Sequence, residues 1–599
     1  MMREREDVVG LDASIIMHPA IWKASGHVDT FADLMRECPV TNKRVRADHV
    51  PPQSGMRYQF LGALHGQRQV ASIDTVIYSV DLAKILIEEF IEKEVPPSLE
   101  GLSLSKLATY AESLVREYAK DKSPEHIAKL ANELVEQMMR RLCVEPVSVM
   151  IPYGKPPESA HKLAIQFYEF RRMEVPLPLG ERVAKVENTT DFHPESGFEL
   201  GIARPFNLML KTYLGPTATE ADVAYLRPET AQAIFVQFKN VVDSTRVKVP
   251  FGIGQIGKAF RNEVTPRNFT FRSREFEQME LEFFIRPDEA VEAVCGGVAR
   301  WSEGADLSAP RPDWGWEMWH RYWVAQRIAY YNGIGLGSDV LDYHWQTKDE
   351  LAHYARACVD ILFKFPFGTE ELEGIAARGD FDLTQHQKHS GKSLEVFDEE
   401  VKVAFAKWTG EQRTALVARR KTEEGAKEKG GMTDEEVDAW CDRLFKGFYV
   451  PHVIEPSAGL DRLALAVLAL AFSENEKTDA KGNKEVLTVM RFHPRIAPVK
   501  VGVFPLLKNK PELVAKARAV FESLRRQMAC HYDEGGSIGK RYARQDEAGT
   551  PFCVTIDFDT IGENGPELLD TVTLRHRDDG RQERVKIADL PGLLLPQIQ

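Results

Sequence analysis

Arginines and carboxylates are concentrated in residues 258–285, KAFRNEVTPRNFTFRSREFEQMELEFFI. Successive side chains of a β-strand point to opposite faces, so Arg261 and Glu263 are predicted to share one face. Clustered guanidinium groups suit a polyphosphate, because each can bind two of its oxygens. Carboxylates beside them suit an ammonium group or a metal ion. The pattern alone leaves open a surface hairpin stabilised by ion pairs.

The second half of this segment predicts the partner strand of an antiparallel pair. Its apolar face would hold Met279, Leu281, Phe283 and Ile285. Its polar face would hold Gln278, Glu280 and Glu282. The connecting loop contributes Pro266, Arg267, Arg272 and Arg274. The hairpin would therefore present arginines and carboxylates on one open face.

Residues 448–472, FYVPHVIEPSAGLDRLALAVLALAF, predict a buried strand, a turn at Gly459 and a strongly apolar helix. Arg462 falls in the first turn of that helix, where the helix dipole already favours an anion. The same pattern also fits a buried strand–turn–helix in which Arg462 simply pairs with a carboxylate.

Residues 225–235, YLRPETAQAIF, place Pro228 at the start of a helix and Glu229 in its first turn. A carboxylate at that position commonly does no more than complement the helix dipole. Alone, this segment indicates no function.

Residues 536–557, GSIGKRYARQDEAGTPFCVTID, predict a short basic helix followed by a turn and a buried strand. Lys540, Arg541 and Arg544 on this helix form a candidate surface for phosphate groups. An ordinary solvated helix face is the alternative.

Several elements are predicted to position these segments. Residues 200–290 carry the densest strand signal, and from Pro498 onward strand and helix patterns alternate, which predicts a separate α/β domain. A polar stretch from Ser473 to Lys484 predicts a loop. Another helix is predicted to begin at Ser123-Pro124, with a stripe formed by Ile127, Leu130, Leu134 and Met138.

The overall composition narrows the class of protein. The 599 residues are 43% apolar and 28% charged, which is typical of a globular chain with several domains. No apolar run approaches the ~20 residues of a membrane span, and the chain start does not resemble a signal peptide. Seven scattered cysteines with no CxxC spacing favour a reducing cytoplasm over a disulfide framework. The net charge of −13 argues against non-specific coating of nucleic acid, but not against a local binding patch.

Together these segments resemble the class II aminoacyl-tRNA synthetases, and specifically the single-polypeptide glycyl enzymes. FRNEVTPRNFTFRSREFEQMELE is similar to the second signature motif of that class, and GLDRLALAVL to the third. LRPETAQAIF, GTEELEGIAARGDFDL, VIEPSAGLDR and GTPFCVTID are similar to the glycyl branch in order and spacing. GLDASIIMHPAIWKASGH and TNKRVRADH near the start also match it. The resemblance covers nearly the whole chain.

The resemblance implies an α/β fold class with an α+β catalytic domain. Its six-stranded antiparallel sheet would be flanked by helices and interrupted by helical insertions, and a C-terminal α/β domain would read the anticodon. The catalytic domain would span residues 1–495, with insertions at about 85–190 and about 390–447, and the anticodon-binding domain 496–599. The implied reaction is ATP-dependent activation of glycine, with Mg2+, followed by transfer to tRNA(Gly).

The resemblance also implies roles for individual residues. Arg261 and Arg462 would be catalytic. The ATP-binding residues would be Arg261, Asn262, Glu263, Phe271, Arg272, Arg274, Phe276, Glu371, Leu372, Gly459, Asp461 and Arg462. The glycine-binding residues would be Arg46, Glu229, Phe276, Gln278, Glu280, Glu455, Ser457 and Gly459. Glu371 would contact magnesium, and Lys540, Arg541 and Arg544 would bind tRNA.

Two expectations concern the segment that precedes GLDAS in the family and the oligomeric state of the chain. Family members carry a further segment before GLDAS that holds the first signature motif and much of a dimer interface. We expect that a start codon was assigned too late here, and that the chain forms a homodimer if that segment is present. The alternatives are a non-catalytic synthetase-like protein that binds tRNA or a protein partner, and an enzyme of the same class for another amino acid.

Overall fold

The computed structural model describes residues 4–65, 109, 111–113, 115–116, 123–139, 142–143, 145–216, 218–352, 354–426, 431–478 and 484–599. The chain divides into two compact units. One comprises Met1–Thr30 and Met209–Gln599, and the other Phe31–Leu208. Much of the first part of the insertion predicted at about 85–190 lies outside the described residues.

The described strands include short edge strands and the long strands of the central sheet. They are β1 (Val8–Gly10), β2 (Ile16–Met17), β3 (Ala32–Glu37), β4 (Arg44–Arg46), β5 (Gln53–Phe60), β6 (Gly62–His65), β7 (Leu142–Cys143), β8 (Val147–Pro152), β9 (Pro176–Leu179), β10 (Arg182–Thr189), β11 (Arg204–Asn207), β12 (Leu210–Tyr213), β13 (Val223–Leu226), β14 (Phe251–Phe260), β15 (Glu275–Ile285), β16 (Leu341–Trp345), β17 (Ala357–Phe365), β18 (Gly368–Gly379), β19 (Val396–Phe397), β20 (Phe448–Tyr449), β21 (His452–Gly459), β22 (Phe472–Thr478), β23 (Lys484–Met490), β24 (Val501–Pro505), β25 (Cys530–Tyr532), β26 (Phe552–Ile556), β27 (Thr571–His576) and β28 (Gln582–Lys586).

The described α-helices lie between and after these strands. They are α1 (Pro19–Ala24), α2 (His27–Thr30), α3 (Pro124–Met139), α4 (Glu158–Phe170), α5 (Ala231–Thr245), α6 (Asp288–Cys295), α7 (Trp316–Asn332), α8 (Phe381–Ser390), α9 (Glu399–Ala406), α10 (Gly410–Gly425), α11 (Asp434–Phe445), α12 (Leu460–Ala471), α13 (Pro511–Leu524), α14 (Ile538–Ala548) and α15 (Leu590–Ile598).

The larger unit is built on a seven-stranded sheet in the order β1-β14-β15-β21-β18-β17-β16. β1 runs parallel to β14, and each later pair of neighbours is antiparallel. The expected six-stranded antiparallel sheet is therefore confirmed, with β1 added at one edge. The expectation of helices on the sheet is also confirmed, since α7 and α12 both pack against it.

The two faces of β15 separate as its alternating sequence predicts. Leu281, Phe283 and Ile285 are buried in one apolar core, where Phe283 packs against Trp319 and Trp323 of α7. The opposite face holds Gln278, Glu280 and Glu282, which are also buried. The face predicted to be open is thus largely covered, which changes the chemistry of its carboxylates.

Residues after Pro498 form a second sheet in the order β25-β24-β26-β27-β28. β25, β24 and β26 run parallel, whereas β27 and β28 are antiparallel additions. Helices α13 and α15 contribute Leu513, Leu524 and Leu590 to its core. The predicted alternation of strands and helices is confirmed in this region.

The smaller unit contains the three-stranded sheets β10-β5-β8, β11-β3-β4 and β7-β6-β9. Phe60, Val149 and Phe167 are part of its core. Helix α3 begins at Pro124, and the Ser123 Oγ accepts a 3.4 Å hydrogen bond from the His126 amide, so the predicted helix start is confirmed.

One local prediction is wrong. A loop is predicted from Ser473 to Lys484, but residues 473–478 and Lys484 belong to the paired antiparallel strands β22 and β23, and residues 479–483 lie outside the described part of the chain. Polar composition indicated solvent exposure, but it did not exclude a two-stranded ribbon that is exposed to solvent.

Candidate active site

An open cleft lies beside the β14–β15 hairpin, where β18, β21 and the first turn of α12 also meet it. Its lining residues are Arg261, Glu263, Thr270, Phe271, Arg272, Ser273, Phe276, Glu277, Gln278, Glu371, Ser457, Gly459, Asp461 and Arg462. Most of the residues predicted to bind ATP are therefore brought together, although they come from segments far apart in the sequence.

Arg261 follows the last residue of β14 and is fixed from three directions. Its amide donates a 2.9 Å hydrogen bond to the Arg274 carbonyl, and its Nε donates one of 3.1 Å to the Pro228 carbonyl. Its guanidinium carbon lies 5.2 Å from the centre of the Phe276 ring. The charge of Arg261 is thus held in the cleft beside an aromatic face.

Arg462 enters the cleft from the opposite side. Its Nη1 donates hydrogen bonds to the Glu371 carbonyl at 3.1 Å and to Glu371 Oε2 at 3.3 Å. Its guanidinium carbon stands 4.6 Å from the centre of the Phe271 ring. The predicted alternative of an Arg462–carboxylate pair is present, but the pair lies in the open cleft and not in a buried core.

The start of α12 is attached to β15 by Asp461, whose Oδ2 accepts a 2.7 Å hydrogen bond from the Glu277 amide. A Cβ atom at Gly459 would lie 3.3 Å from the Arg462 side chain, so the close turn favours glycine. On the hairpin, Arg272 Nε lies 3.3 Å from Glu263 Oε2. The cleft thus presents three arginines, each with a carboxylate or an aromatic ring beside it.

Carboxylates from three segments lie deeper than the arginines. Glu280 Oε2 accepts hydrogen bonds from the Thr230 amide, at 2.8 Å, and from its hydroxyl, while Glu280 Oε1 accepts one of 2.9 Å from Ser457 Oγ. Glu280 is 5% exposed. Burial and the charge of Glu229 raise the pKa of Glu280 above its ordinary value.

Glu455 is held by a buried arginine that the sequence analysis did not identify. Arg378 Nη1 donates to both Glu455 oxygens, at 2.8 and 2.7 Å, while its Nε and Nη2 bind Asp382 at 2.9 and 3.0 Å. Burial raises the pKa of Glu455 to about 7; the charge of Arg378 opposes the shift, and those of Glu280 and Glu229 add to it.

Glu229 lies in the segment that precedes α5. Its carboxylate is 3.3 Å from His27 Nε2 and accepts a 3.2 Å hydrogen bond from Gln232 Nε2. Burial opposes ionisation of Glu229, but His27, Arg378 and Gln232 outweigh it and lower its pKa. Gln232 also donates to Asp382 at 2.8 Å, which links Glu229 to the Arg378 and Glu455 pair.

The segment before Glu229 is held against β14 by a second buried arginine. Arg227 Nε donates a 2.7 Å hydrogen bond to the Lys258 carbonyl, and its Nη1 donates one of 2.9 Å to the Ala13 carbonyl. A Cβ atom at Gly257 would collide with this guanidinium, so the strand needs glycine there. Arg227 therefore sets where Pro228 and Glu229 enter the site.

Two buried side chains on β15 retain unused polar atoms. Gln278 lines the cleft, and its Oε1 has no hydrogen-bond partner among the described residues. Both oxygens of Glu282 likewise have none within the described chain. A buried acceptor without a donor, such as Oε1 of the cleft-lining residue Gln278, suits a ligand with N–H donors.

Several predicted residues do not line the cleft. Asn262 follows Arg261 but is not in contact with the opening, and Arg274 is exposed and donates a 2.9 Å hydrogen bond to the Glu263 carbonyl. The prediction that Leu372 binds ATP is corrected for its side chain, which is 1% exposed and belongs to the apolar core. Arg46 lies in the smaller unit, where it pairs with Asp33 at 3.2 Å and Asp48 at 2.7 Å.

Helix α14 also requires a correction. Arg541 is 2% exposed, and it donates to the backbone carbonyls of Pro505, Leu506 and Gly536. It therefore stabilises the domain and is not an exposed phosphate contact. Lys540 and Arg544 are exposed, and Arg544 Nε donates a 3.1 Å hydrogen bond to Asp533.

The donor set beside the cleft fits a magnesium ion. A Cβ atom placed on Gly374 would lie 3.6 Å from Asp360 Oδ1 and 3.8 Å from Glu371 Oε1, so glycine leaves space between two carboxylates. Mg2+ in nucleotide sites is commonly held by one or two carboxylates together with phosphate oxygens and water. Glu371 and Asp360 are therefore the residues suited to hold it.

Comparisons with known proteins show the family of the chain. Residues 500–596 match the anticodon binding domain family. The chain is 37% identical to a glycine–tRNA ligase of Rhodopirellula baltica over 592 residues, which cover 98% of this chain and 85% of the relative. It is 36% identical to one of Thermus thermophilus over 604 residues, covering 100% of this chain and 89% of the relative. The chain belongs to the glycine–tRNA ligase family. In this member of the glycine–tRNA ligase family, the residues that match the anticodon binding domain family, 500–596, include the second sheet.

Within the described residues, no helix combines the length and apolar character needed to cross a membrane.

Proposed function

We propose that this protein is an ATP-dependent glycine–tRNA ligase, which activates glycine as glycyl-adenylate and transfers it to the 3′ end of tRNA(Gly). The observation that carries the proposal is a cleft that holds three arginines and is also lined by Ser457, the hydrogen-bond partner of the buried carboxylate Glu280. This arrangement suits a triphosphate beside a small ammonium compound.

In the first step, the carboxylate of glycine attacks the α-phosphorus of ATP in line with the leaving group. A bond forms between a glycine carboxylate oxygen and that phosphorus, and the bond to the bridging oxygen breaks, releasing pyrophosphate. The chemistry needs no side-chain nucleophile, because positioning and charge neutralisation supply the rate. Arg261 holds the α-phosphate, while Arg272 and Arg462 hold the outer phosphates.

The adenine base fits the aromatic side of the cleft. Phe276 offers a ring face for stacking, and Glu263 accepts a hydrogen bond from the adenine amino group. Magnesium at Glu371 and Asp360 would, when bound, neutralise charge on the phosphate oxygens. In the second step, the terminal hydroxyl of tRNA attacks the adenylate carbonyl, and the carbonyl bond to AMP breaks.

Glycine has no side chain to bind, so its affinity must come from its ammonium and carboxylate groups. Glu229, Glu280 and Glu455 supply charge-assisted hydrogen bonds to the ammonium group, and Gln278 Oε1 supplies a further acceptor. Ser457 fixes Glu280. A closely packed pocket excludes alanine sterically, which is more effective than discrimination against a smaller substrate, where one methylene supplies only ~1–3 kcal/mol.

Further features belong to the same proposal. Residues 1–495 form the catalytic domain and 496–599 the anticodon-binding domain, with Lys540 and Arg544 as tRNA contacts. The functional enzyme is a homodimer and acts in the cytoplasm.

The proposal is tested by charging. The full chain, incubated with ATP, Mg2+, labelled glycine and tRNA(Gly), should form an ester at the 3′ terminal nucleotide, and periodate-oxidised tRNA should accept none. Retention of tRNA without any ATP-dependent charging would instead favour a non-catalytic tRNA-binding protein.

A further inference from the structure

Glu282 is a buried carboxyl group for which the reaction outlined above gives no role. Its side chain is fully buried, and neither oxygen accepts a hydrogen bond from an N–H or hydroxyl group of the described residues. An ionised carboxylate in such a place is strongly disfavoured, whereas a neutral carboxyl group can remain. The position of Glu282 in the sheet indicates what it does there.

Glu282 lies at the boundary between the polar site and the apolar core. On the same face of β15, Glu280 precedes it and contacts Thr230 and Ser457. Phe284 follows it and packs against Phe238 of α5. The strand thus passes from the polar site to the apolar core within a few residues, and Glu282 lies between the two.

The pairing of β15 with β21 places Glu282 opposite Glu455. Glu280 pairs with Ser457 and Phe283 with Ile454, which sets Glu282 against Glu455 on one face. Directly opposed residues have Cβ atoms about 4.5–5.5 Å apart, within reach of a hydrogen bond between two carboxyl groups. Two ionised carboxylates there would repel, whereas the O–H of a neutral carboxyl group can donate a hydrogen bond to the other carboxylate.

We propose that Glu282 is a neutral, proton-carrying positioning residue that fixes Glu455 beneath the ammonium subsite without adding a negative charge. Burial and the charge of Glu455 raise the pKa of Glu282 well above its ordinary value, which agrees with this geometry. The charged groups that influence Glu282 are Glu280 on its own strand, Glu455 on β21, Arg378 on β18 and Asp382 on α8.

This assignment gives Glu455 two different neighbours. Arg378 supplies both of its ionic hydrogen bonds from one side, and Glu282 supplies a neutral donor from the adjacent strand. Glu455 is then oriented by a group that adds no second positive charge, and its negative charge remains available to an ammonium group. The role of Glu455 rests on the proposed glycine function, but the protonation of Glu282 does not.

The direct test is infrared spectroscopy of the full chain without substrates at about pH 8, well above the ordinary pKa of a carboxyl group. The wild type should show the C=O stretch of a neutral carboxyl group, and Glu282→Gln should remove it. Glu373→Gln is the matched control, because Glu373 is equally buried, on the other face of the sheet, but is ion-paired with Arg327 at 2.6 Å. That control should keep the band.

Kinetics of glycine-dependent pyrophosphate exchange test the positioning role. Glu282→Gln keeps a neutral donor and should leave the KM for glycine within about two-fold, whereas Glu282→Leu should raise it about ten-fold with the KM for ATP unchanged. A band that survives in Glu282→Gln overturns the inference, and so does a loss of glycine affinity in Glu282→Gln as large as in Glu455→Gln. If Glu282→Leu does not fold, Glu282→Gln still decides. If the wild type shows no exchange, the proposed function fails while the infrared result stands.

Discussion

Ser457 Oγ donates a 2.9 Å hydrogen bond to Glu280 Oε1 at the point where the two residues oppose each other across β15 and β21. The two strands come from segments that lie far apart in the sequence, and this bond joins them at the predicted glycine site. Together with Thr230, which donates to the other oxygen, it fixes the orientation of the Glu280 carboxylate.

Ser457→Ala removes this hydrogen bond and leaves Glu280 Oε1 without its partner. We expect the KM for glycine in pyrophosphate exchange to rise about ten-fold, or ~1.4 kcal/mol, with little change in the KM for ATP. Ser473→Ala is the matched control, because the Ser473 hydroxyl lies on β22, where it donates to the Val489 carbonyl and accepts from Arg491 Nε. Equal effects on both substrates would show that Ser457 acts on the whole cleft and not on glycine.

Glycine binding should depend on pH through Glu455. Burial raises its pKa from 4.5 to about 7, so the carboxylate that binds the ammonium group is lost as the pH falls through 7. The KM for glycine should therefore rise about ten-fold per pH unit on the acid side, while that for ATP follows a different profile. Glu455→Gln should bind glycine poorly and remove this dependence; an unchanged profile in that variant would assign the titration to another group.

The raised pKa of Glu455 also predicts that the stability of the folded protein changes with pH, in the direction opposite to glycine binding. A raised pKa means that the folded state binds the proton more tightly than the unfolded state. The contribution of Glu455 to the free energy of unfolding is therefore fully present below its unfolded pKa and declines as the pH rises through about 7. Glu455→Gln should be relatively more stable than the wild type at about pH 8 than at about pH 5, as measured by urea unfolding. A constant difference across that range would contradict the assignment.

Arg462→Lys keeps the positive charge but loses the planar group that spans Phe271 and Glu371. We expect exchange to slow about one hundred-fold, or ~2.7 kcal/mol, because lysine cannot bind two phosphate oxygens in the same geometry. Arg495→Lys serves as control, since its Nη1 donates a 3.4 Å hydrogen bond to the Gly333 carbonyl and Arg495 is not among the residues that line the cleft. Wild-type activity in Arg462→Lys would remove Arg462 from the phosphate site.

Different residues of helix α14 are expected to affect stability and tRNA binding. Arg541→Met leaves the carbonyls of Pro505 and Gly536 without their donor. The variant should lose about 2–3 kcal/mol of the free energy of unfolding of its domain, measured by denaturant titration. Lys540→Ala should instead raise the KM for tRNA in a salt-dependent manner without changing stability. A stable Arg541→Met variant with impaired tRNA binding would restore the original prediction.

The alternation along residues 275–285 made β15 readable from the sequence, because a strand with one apolar face has only one register that buries it. The residues that hold the site carboxylates were less accessible. Thr230 and Glu280 are 50 positions apart, and Arg378 and Glu455 are 77 apart. No local pattern encodes such pairs; the only signal for Arg378 was its place in the segment GTEELEGIAARGDFDL, which the family resemblance already singled out.

For Arg541, the sequence pattern predicted a role that the structure contradicts. A run of basic residues on a short helix predicted an exposed face, yet Arg541 and Gln545, four positions apart, both point into the protein. Their helical spacing could have placed them together on the buried side. Leu372 was misplaced for a related reason, since its neighbour Glu371 reaches the cleft while Leu372 itself packs in the core.

The most direct test of the account is ATP–pyrophosphate exchange by the full chain with each amino acid in turn. We predict exchange that depends on glycine and Mg2+, with alanine and serine inactive because the proposed site binds the ammonium group through its carboxylates and excludes a side chain sterically. Exchange with another amino acid in place of glycine, or none with glycine at any Mg2+ concentration, would contradict it.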